Sequence, residues 1–292
     1  MKKVYHKCKG GASGQKRIGK STGGRDIIGA MQKLVEGARK LGLTLTADQV
    51  GMFRRYRDEL VAWRSRANLT AITDDEGIQT KHFLDSLSCL VATTVPKSVS
   101  SAPSPSGACA VRPDTRLIDV GSGAGFPGLP LKIICPAIKL TLLEATGKKV
   151  EFLRHMIGLL DLRGVTVVKG RAEELGRDAD HREQYDWALA RAVAEMPALV
   201  EYLLPFVRIG GRALAQKGQD APAEVAAAET AIVHLGGRLN RLVPVELTGI
   251  AETRYLVIVD KVAATPDHHP RRPGMPSKHP ISNVKSQISI FK

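Results

Sequence analysis

The stretch RLIDVGSGAGFPGLPLKI, residues 116–133, limits what this chain can fold into more than any other part of it. An apolar run ending at Asp119 passes directly into Gly121, Gly123, Gly125 and Gly128, and an apolar pattern of helical spacing follows. Glycines this close together after a strand let the backbone approach a bound ligand, and a helix beginning there directs its N–H groups toward the same point. A nucleotide-like ligand is therefore expected at the end of a buried strand. The spacing departs from the Gly-x-Gly-x-x-Gly of dinucleotide sites, because the third glycine comes early, at Gly125, and Phe126 takes the expected place.

Short β-rich runs alternate with helical patterns from this point on. The spacing predicts strands over 116–120, 139–143, 165–169, 187–190, 212–216, 239–247 and 255–260. The early ones are separated by enough chain for right-handed helical crossovers, whereas the last two read as an antiparallel hairpin at one edge. The expected class is α/β, a doubly wound, mostly parallel sheet preceded by N-terminal helices. Those helices are expected over 27–41, over 47–66 with Thr46 as N-cap, and over 78–95 before Pro96. The organisation expected is a disordered basic arm (1–25), a helical region (26–96), a Ser/Pro-rich loop (97–113), the ligand-binding domain (114–262) and a basic, Pro-rich tail (263–292).

Charge points to a partner. Of the net charge of +14, residues 1–25 carry eight Lys/Arg and no acid, residues 261–292 carry six Lys/Arg against Asp267 alone, and the middle is left near +1. Basic ends suit an anionic partner such as nucleic acid, or are solvated tails. Cys8, Cys89, Cys109 and Cys135 stand far apart with no Cys-x-x-Cys pair, so reduced thiols and no metal site are expected. No apolar run approaches the roughly 18 residues that cross a bilayer, so a cytoplasmic protein is expected.

The order Asp-x-Gly-x-Gly-x-Gly resembles the first motif of class I (Rossmann-like) methyltransferases, whose loop wraps the amino acid part of S-adenosylmethionine. Glu144, at the end of the second strand, is placed to accept ribose hydroxyls in either cofactor family, or to cap the loop. Ala172 and Glu173 follow the third strand where methyltransferases hold the adenine.

NLTAITDDEGIQTKHFLDSL (68–87), EATGKKVEFL (144–153), GRAEE (170–174), ARAVAEMPALVEYLLP (190–205) and ATPDHHPRRPGMPSKHPI (264–281) together carry a more specific likeness. From about Leu34 to Asp260 the chain resembles the RsmG (GidB) family, the 16S ribosomal RNA guanine-N7 methyltransferases. The resemblance implies cofactor contacts at Gly121, Phe126, Ala172, Glu173 and Arg191, beside Asp119, Gly123, Gly125 and Glu144. Phe126 stands where other members often have Leu, and Glu144 where many have Asp. An RNA-facing mouth is implied at Asn68, His82, Asp85 and Ser86, residues that otherwise cap and staple the N-terminal helices. Lys148 and Arg154, with Arg271, Arg272 and Lys278 of the tail, are candidates for phosphate contacts. Five prolines between Pro266 and Pro280 suggest a tail extended along RNA.

Guanine N7 has a free lone pair, so its methylation asks for alignment rather than a general base, and no catalytic side chain is assigned. This fits the absence of a Ser/His/Asp constellation, and Ala190-Arg191-Ala192 at the fourth strand's tip lacks a motif for accepting an amine proton. The expected partner is 16S RNA or the 30S particle, acted on by a monomer. The alternatives are a methyltransferase of another substrate, a nicotinamide-dependent oxidoreductase reading the same glycines, and a noncatalytic RNA-binding assembly factor.

Overall fold

The computed structural model describes residues 29–93 and 111–281. The expected basic arm and most of the 97–113 loop lie outside the described residues. The central sheet has seven strands in the order β3-β2-β1-β4-β5-β7-β6. They are β1 (Arg116–Val120), β2 (Lys139–Glu144), β3 (Val165–Lys169), β4 (Tyr185–Arg191), β5 (Val207–Lys217), β6 (Gly237–Val245) and β7 (Arg254–Lys261). The first five run parallel, and β7 enters antiparallel between β5 and β6. The chain order reverses direction between β1 and β4, and the crevice outside the carboxyl ends of strands at such a switch point is where doubly wound sheets bind ligands.

Period-two alternation within the strands distributes the core over both faces. Leu117 and Leu214 point to one face, whereas Ile118, Val120, Ala213 and Ala215 point to the other. On the first face lie α1 (Gln32–Lys40), α2 (Ala47–Ala62), α5 (Gly128–Ile134) and α6 (Gly147–Leu159); on the second lie α8 (Met196–Leu203) and α9 (Ala221–His234). Thr46 begins α2 with a capping box, its Oγ1 accepting from the Gln49 N–H at 3.2 Å while Gln49 Oε1 accepts from its own N–H at 2.9 Å. The buried stripe Val50, Phe53, Tyr56 and Leu60 then joins the sheet's core at three- and four-residue spacing.

The third expected helix begins earlier than its apolar pattern does. Asp74 caps it by accepting from the Gly77 N–H at 2.6 Å. It runs through α3 (Asp75–Gly77), a π-helical stretch over Ile78–Leu84, and α4 (Asp85–Thr93). A π stretch widens the turn and changes which carbonyls are satisfied; such bulges recur at functional sites.

Residues 262–281 are not extended. They fold back as a strap across α7 (Ala172–Leu175) and α8 and include a short helix, α10 (Met275–Lys278). Arg177 donates to the carbonyls of His268 and Pro270, and Arg182 to those of Thr265, Pro266 and His269. Two guanidiniums thus satisfy backbone that proline would otherwise leave open to water. Inside the strap's start, Lys261 is 1% exposed and donates to the Leu204 carbonyl at 2.8 Å beside Glu183 at 3.1 Å. Among the described residues the expectation of reduced thiols holds for Cys89, a free buried thiol, and not for Cys135, which is disulfide-bonded. Among the described residues no helix is long and apolar enough to cross a membrane.

Candidate active site

Two clefts adjoin at the carboxyl edge of the sheet. The first, of about 280 Å³, is lined by Gly121, Glu144, Ala172 and Glu173, with Val193, Tyr202 and Ser277. Gly121, Gly123 and Gly125 all have positive φ, at 71°, 58° and 95°, a region that costs other residues roughly 1–2 kcal/mol each. A Cβ on Gly125 would meet Leu129 and the Tyr56 hydroxyl, and one on Gly128 would meet Leu142 and Asp119, so these two glycines serve packing. A Cβ on Gly123 would meet nothing nearer than 3.9 Å, which leaves open space where backbone approaches a ligand. The Tyr56 hydroxyl donates to the Ala124 carbonyl and pins the loop to α2.

The helix after the loop does not turn free N–H groups toward the ligand as the sequence leads one to expect. The Gly128 N–H is taken by Asp119 Oδ2 at 2.9 Å, and the Gly123 N–H by Glu144 Oε2 at 2.9 Å. The Gly121 and Ser122 N–H groups go to the Leu143 carbonyl. A pyrophosphate would find spent donors and two carboxylates, whereas a ligand carrying hydroxyls and positive charge would find acceptors. Asp119 is wholly buried and its Oδ1 has no partner; burial pushes its carboxyl up to about 7, opposed by the Gly128 N–H and the Arg191 charge. Glu144 caps the loop and also accepts from the Thr146 N–H at 2.8 Å, each oxygen retaining a second lone pair.

The second cleft, of about 320 Å³, lies across the tips of β4 and β5, the start of β7 and the π stretch. Lys81, Arg191, Lys217 and Arg254 line it against Asp85 and Glu224, an excess of positive charge that suits a phosphate-bearing substrate. Arg191 sits at its centre. Its guanidinium pairs with Asp85 at 3.0 Å, donates to the Lys81 carbonyl at 3.2 Å, and lies 4.8 Å from the centre of the Phe126 ring. Phe126 is stacked against Tyr56 at 5.4 Å and His82 at 4.6 Å, which ties the glycine loop to α2 and to the π stretch. Burial, then the Arg191 charge, lowers His82 to about 4, so its ring is neutral near pH 7, with Nε2 at 2.6 Å from the Thr70 hydroxyl. Asp85 stands between two arginines, with Arg254 at the longer distance of 3.7 Å. Gln216 donates to the Asp85 carbonyl at 2.6 Å and to Ser88 Oγ at 3.2 Å.

The wall between the clefts is the tip of β4: Ala192 lines the second and Val193 the first. Ala192 holds φ at 55°, strain that a non-glycine residue keeps only where its surroundings demand that conformation. Four buried side-chain atoms among the described residues lack any hydrogen-bond partner, and all belong to these two sites: Asp119 Oδ1, Asp85 Oδ1, Gln216 Oε1 and Arg254 Nε. Unmet polar groups cost about 1–3 kcal/mol each, so they mark places where a ligand's groups are expected.

The family model described as GidB, rRNA small subunit methyltransferase G, matches residues 49–248. The chain belongs to this family. It is 52% identical over 251 residues to ribosomal RNA small subunit methyltransferase G of Roseiflexus sp. (strain RS-1), covering 86% of this chain and 100% of that one. With the protein of the same name from Alkaliphilus metalliredigens (strain QYMF) it shares 43% over 248 residues, 85% of this chain and 97% of the other. Among solved structures, TrmN from Thermus thermophilus matches with a TM-score of 0.41 and 19% identity over 51% of this chain and 45% of that one. That is too distant to carry an argument, and the Rossmann-like class I methyltransferase fold rests on the strand order itself.

In this GidB family member the sequence-derived site residues separate into groups. Gly121, Glu144, Ala172 and Glu173 meet at the first cleft, with Asp119, Gly123 and Gly125 in the loop behind it. Glu173 also accepts from the Gly274 N–H of the strap at 2.9 Å. Arg191, His82 and Asp85 meet at the second cleft, and Phe126 packs on the loop's far side against them. Ser86 does not face the mouth: it is wholly buried and donates to the His82 carbonyl at 2.6 Å, as serine in a helix interior often does. Arg271 is committed to the buried Glu201, with contacts of 2.7 Å and 3.0 Å. Asn68, Lys148, Arg154, Arg272 and Lys278 are exposed. Sequence reasoning missed Tyr202 and Ser277 of the first cleft, whose hydroxyls lie 2.7 Å apart, and Gln216 and Arg254 of the second. Only Gln216 left a local signal, as the one amide in the buried run ALAQ.

Proposed function

We propose that the protein methylates N7 of a guanine in small-subunit (16S) ribosomal RNA, using S-adenosylmethionine held in the first cleft. The reading rests on the match between the polar groups lining the two clefts and the two ligands. At the first cleft the acceptor Glu144 suits a nucleoside with hydroxyls, Asp119 fixes the glycine loop behind it, and Ala172 offers a short apolar surface for a purine. Family membership favours the same cofactor. When bound, it supplies an electrophilic methyl group.

In the second cleft Gln216 Oε1 has no hydrogen-bond partner, and Asp85 Oδ1 and Arg254 Nε face each other across 3.7 Å, a loose ion pair outside hydrogen-bond reach that leaves an acceptor and a donor for a base edge entering between them. Guanine's pairing edge carries two donors, N1–H and the N2 amine, beside one acceptor, O6, whereas adenine offers an amine where guanine has O6. Held by that edge, the base keeps N7 away from the residues that grip it. N7 has a lone pair, so no side chain needs to take a proton, and the neutral His82 and buried Asp85 serve to hold the substrate. Asn68, Lys148, Arg154, Arg272 and Lys278 supply cations and donors for the RNA backbone, and the enzyme works in the cytoplasm.

The decisive experiment incubates the protein with methyl-labelled cofactor and undermethylated 30S particles or 16S RNA, then maps the product by strand cleavage at 7-methylguanosine. Label at one guanine N7 is expected. Label on a base amine, on protein or only on small molecules overturns the reading, as does calorimetric binding of NAD without S-adenosylmethionine.

A further inference from the structure

Away from both clefts, the strap carries His268 and His269 to the last residue of α9, His234. One ring nitrogen from each of the three lies within 4.8 Å of the others. His234 Nε2 and His269 Nε2 are 3.1 Å apart. Two imidazole nitrogens bound to one tetrahedral zinc, at about 2.0–2.1 Å each, stand roughly 3.3 Å from one another, so this pair already has the spacing of two ligands.

The ring of His269 is also set in the tautomer a metal requires. Its Nδ1 lies 3.1 Å from Glu201 Oε1. Glu201 is wholly buried and receives the Arg271 guanidinium at 2.7 Å and 3.0 Å and the Arg271 N–H at 2.7 Å. A carboxylate so paired only accepts, so Nδ1 must donate and the lone pair of His269 falls on Nε2, toward His234. A carboxylate behind a histidine in this way is the usual outer support of a metal ligand. The carboxyl end of α9 adds its own negative potential beside His234. His234 and His268 are exposed, so the second ring can rotate inward and water can reach the remaining position.

We propose that His234, His268 and His269 form a three-imidazole site for a divalent transition metal ion, zinc above all, with Glu201 orienting His269 and water completing the shell. Three imidazoles without a thiolate suit zinc, copper(II) or nickel and not magnesium or calcium. The ion would clamp the strap to α9. That strap supplies Ser277 to the first cleft and Gly274 to Glu173, so a bound metal would steady one wall of that cleft. The site stands independently of the methyl-transfer reading, and its test does not use methylation.

The test uses the untagged full chain, stripped with chelator and titrated with zinc chloride in a calorimeter, with cobalt chloride as a visible reporter of tetrahedral geometry. One equivalent of zinc is expected to bind at micromolar or tighter affinity, with the intense cobalt bands of four-coordination and a thermal midpoint that zinc raises and chelator lowers. His234→Gln and His268→Ala alter exposed side chains, so both should melt like the parent in chelator. Each should bind zinc at least about tenfold more weakly. Absence of stoichiometric zinc binding, or unchanged affinity in both variants, overturns the proposal and leaves a hydrogen-bonded histidine cluster in its place.

Discussion

At the scale of single residues, Asp119 and His82 oppose each other over the same pH range. A carboxyl raised from 3.8 to about 7 favours the fold below its unfolded value and loses that contribution as pH rises through 7. A histidine lowered from 6.5 to about 4 contributes above its unfolded value and loses that contribution as pH falls toward 4. Asp119→Asn removes the first and keeps an acceptor for Gly128, so the variant's thermal midpoint should climb between about pH 4 and 6.5 more steeply than the parent's. Parallel melting profiles across that range would refute the assignment. Gly121→Ala forces a side chain into positive φ and against Val193 at 2.8 Å. Cofactor affinity by calorimetry should fall about tenfold, an effect of roughly 1–2 kcal/mol. Asp85→Asn keeps the shape but removes the charge between Arg191 and Arg254. It should lower kcat/KM for 30S particles by about two orders of magnitude, near 3 kcal/mol, and leave cofactor affinity within a factor of two.

At the scale of elements, the strap is where local pattern misleads most. Arg271, Arg272 and Lys278 look alike in a Pro-rich basic sequence, yet only Arg271 neutralises the wholly buried Glu201. Arg271→Ala should cost about 3 kcal/mol in urea unfolding, because a carboxylate is left buried without its partner. Arg272→Ala and Lys278→Ala should unfold like the parent, and each should reduce the salt dependence of RNA binding by about one unit of slope. β1 and β3 occupy the residues their short β-rich runs predict, 116–120 and 165–169, since turns bound both. β5 starts five residues earlier than expected, because Gly210 and Gly211 read as a turn within what is a continuous strand. The π stretch has no sequence signature at all: its residues suit an α-helix equally, and the contacts of Arg191, far along the chain, accompany the wider turn.

At the scale of the whole molecule, the first cleft was legible because most of its wall comes from strand tips, where glycines and acids follow apolar runs in the sequence itself. The second was half legible. His82 and Asp85 stand in one recognisable segment, but Gln216 reaches it because β5 runs parallel beside β4 and sets it opposite Arg191, and Arg254 because β7 runs antiparallel beside β5 and brings its first residue to the same edge. The strap's share of both the first cleft and the histidine cluster depends on contacts across 35 to 101 residues, which no local spacing records. Charge behaves more simply. Residues 1–25 hold eight of the Lys/Arg residues, so their deletion should flatten the salt dependence of RNA binding while calorimetric cofactor affinity stays as it was.

The fold-back of residues 262–281 has an implication for how the enzyme comes into being. Ser277 forms part of the first cleft and Gly274 is bonded to Glu173, so the pocket gains this wall only after all seven strands of the sheet have been synthesised. A growing polypeptide still held in a ribosome's exit tunnel, or a fragment cut short before this point, would present an open, leaky pocket. Competence to hold the methyl donor is thereby tied to completion of the chain's late segment.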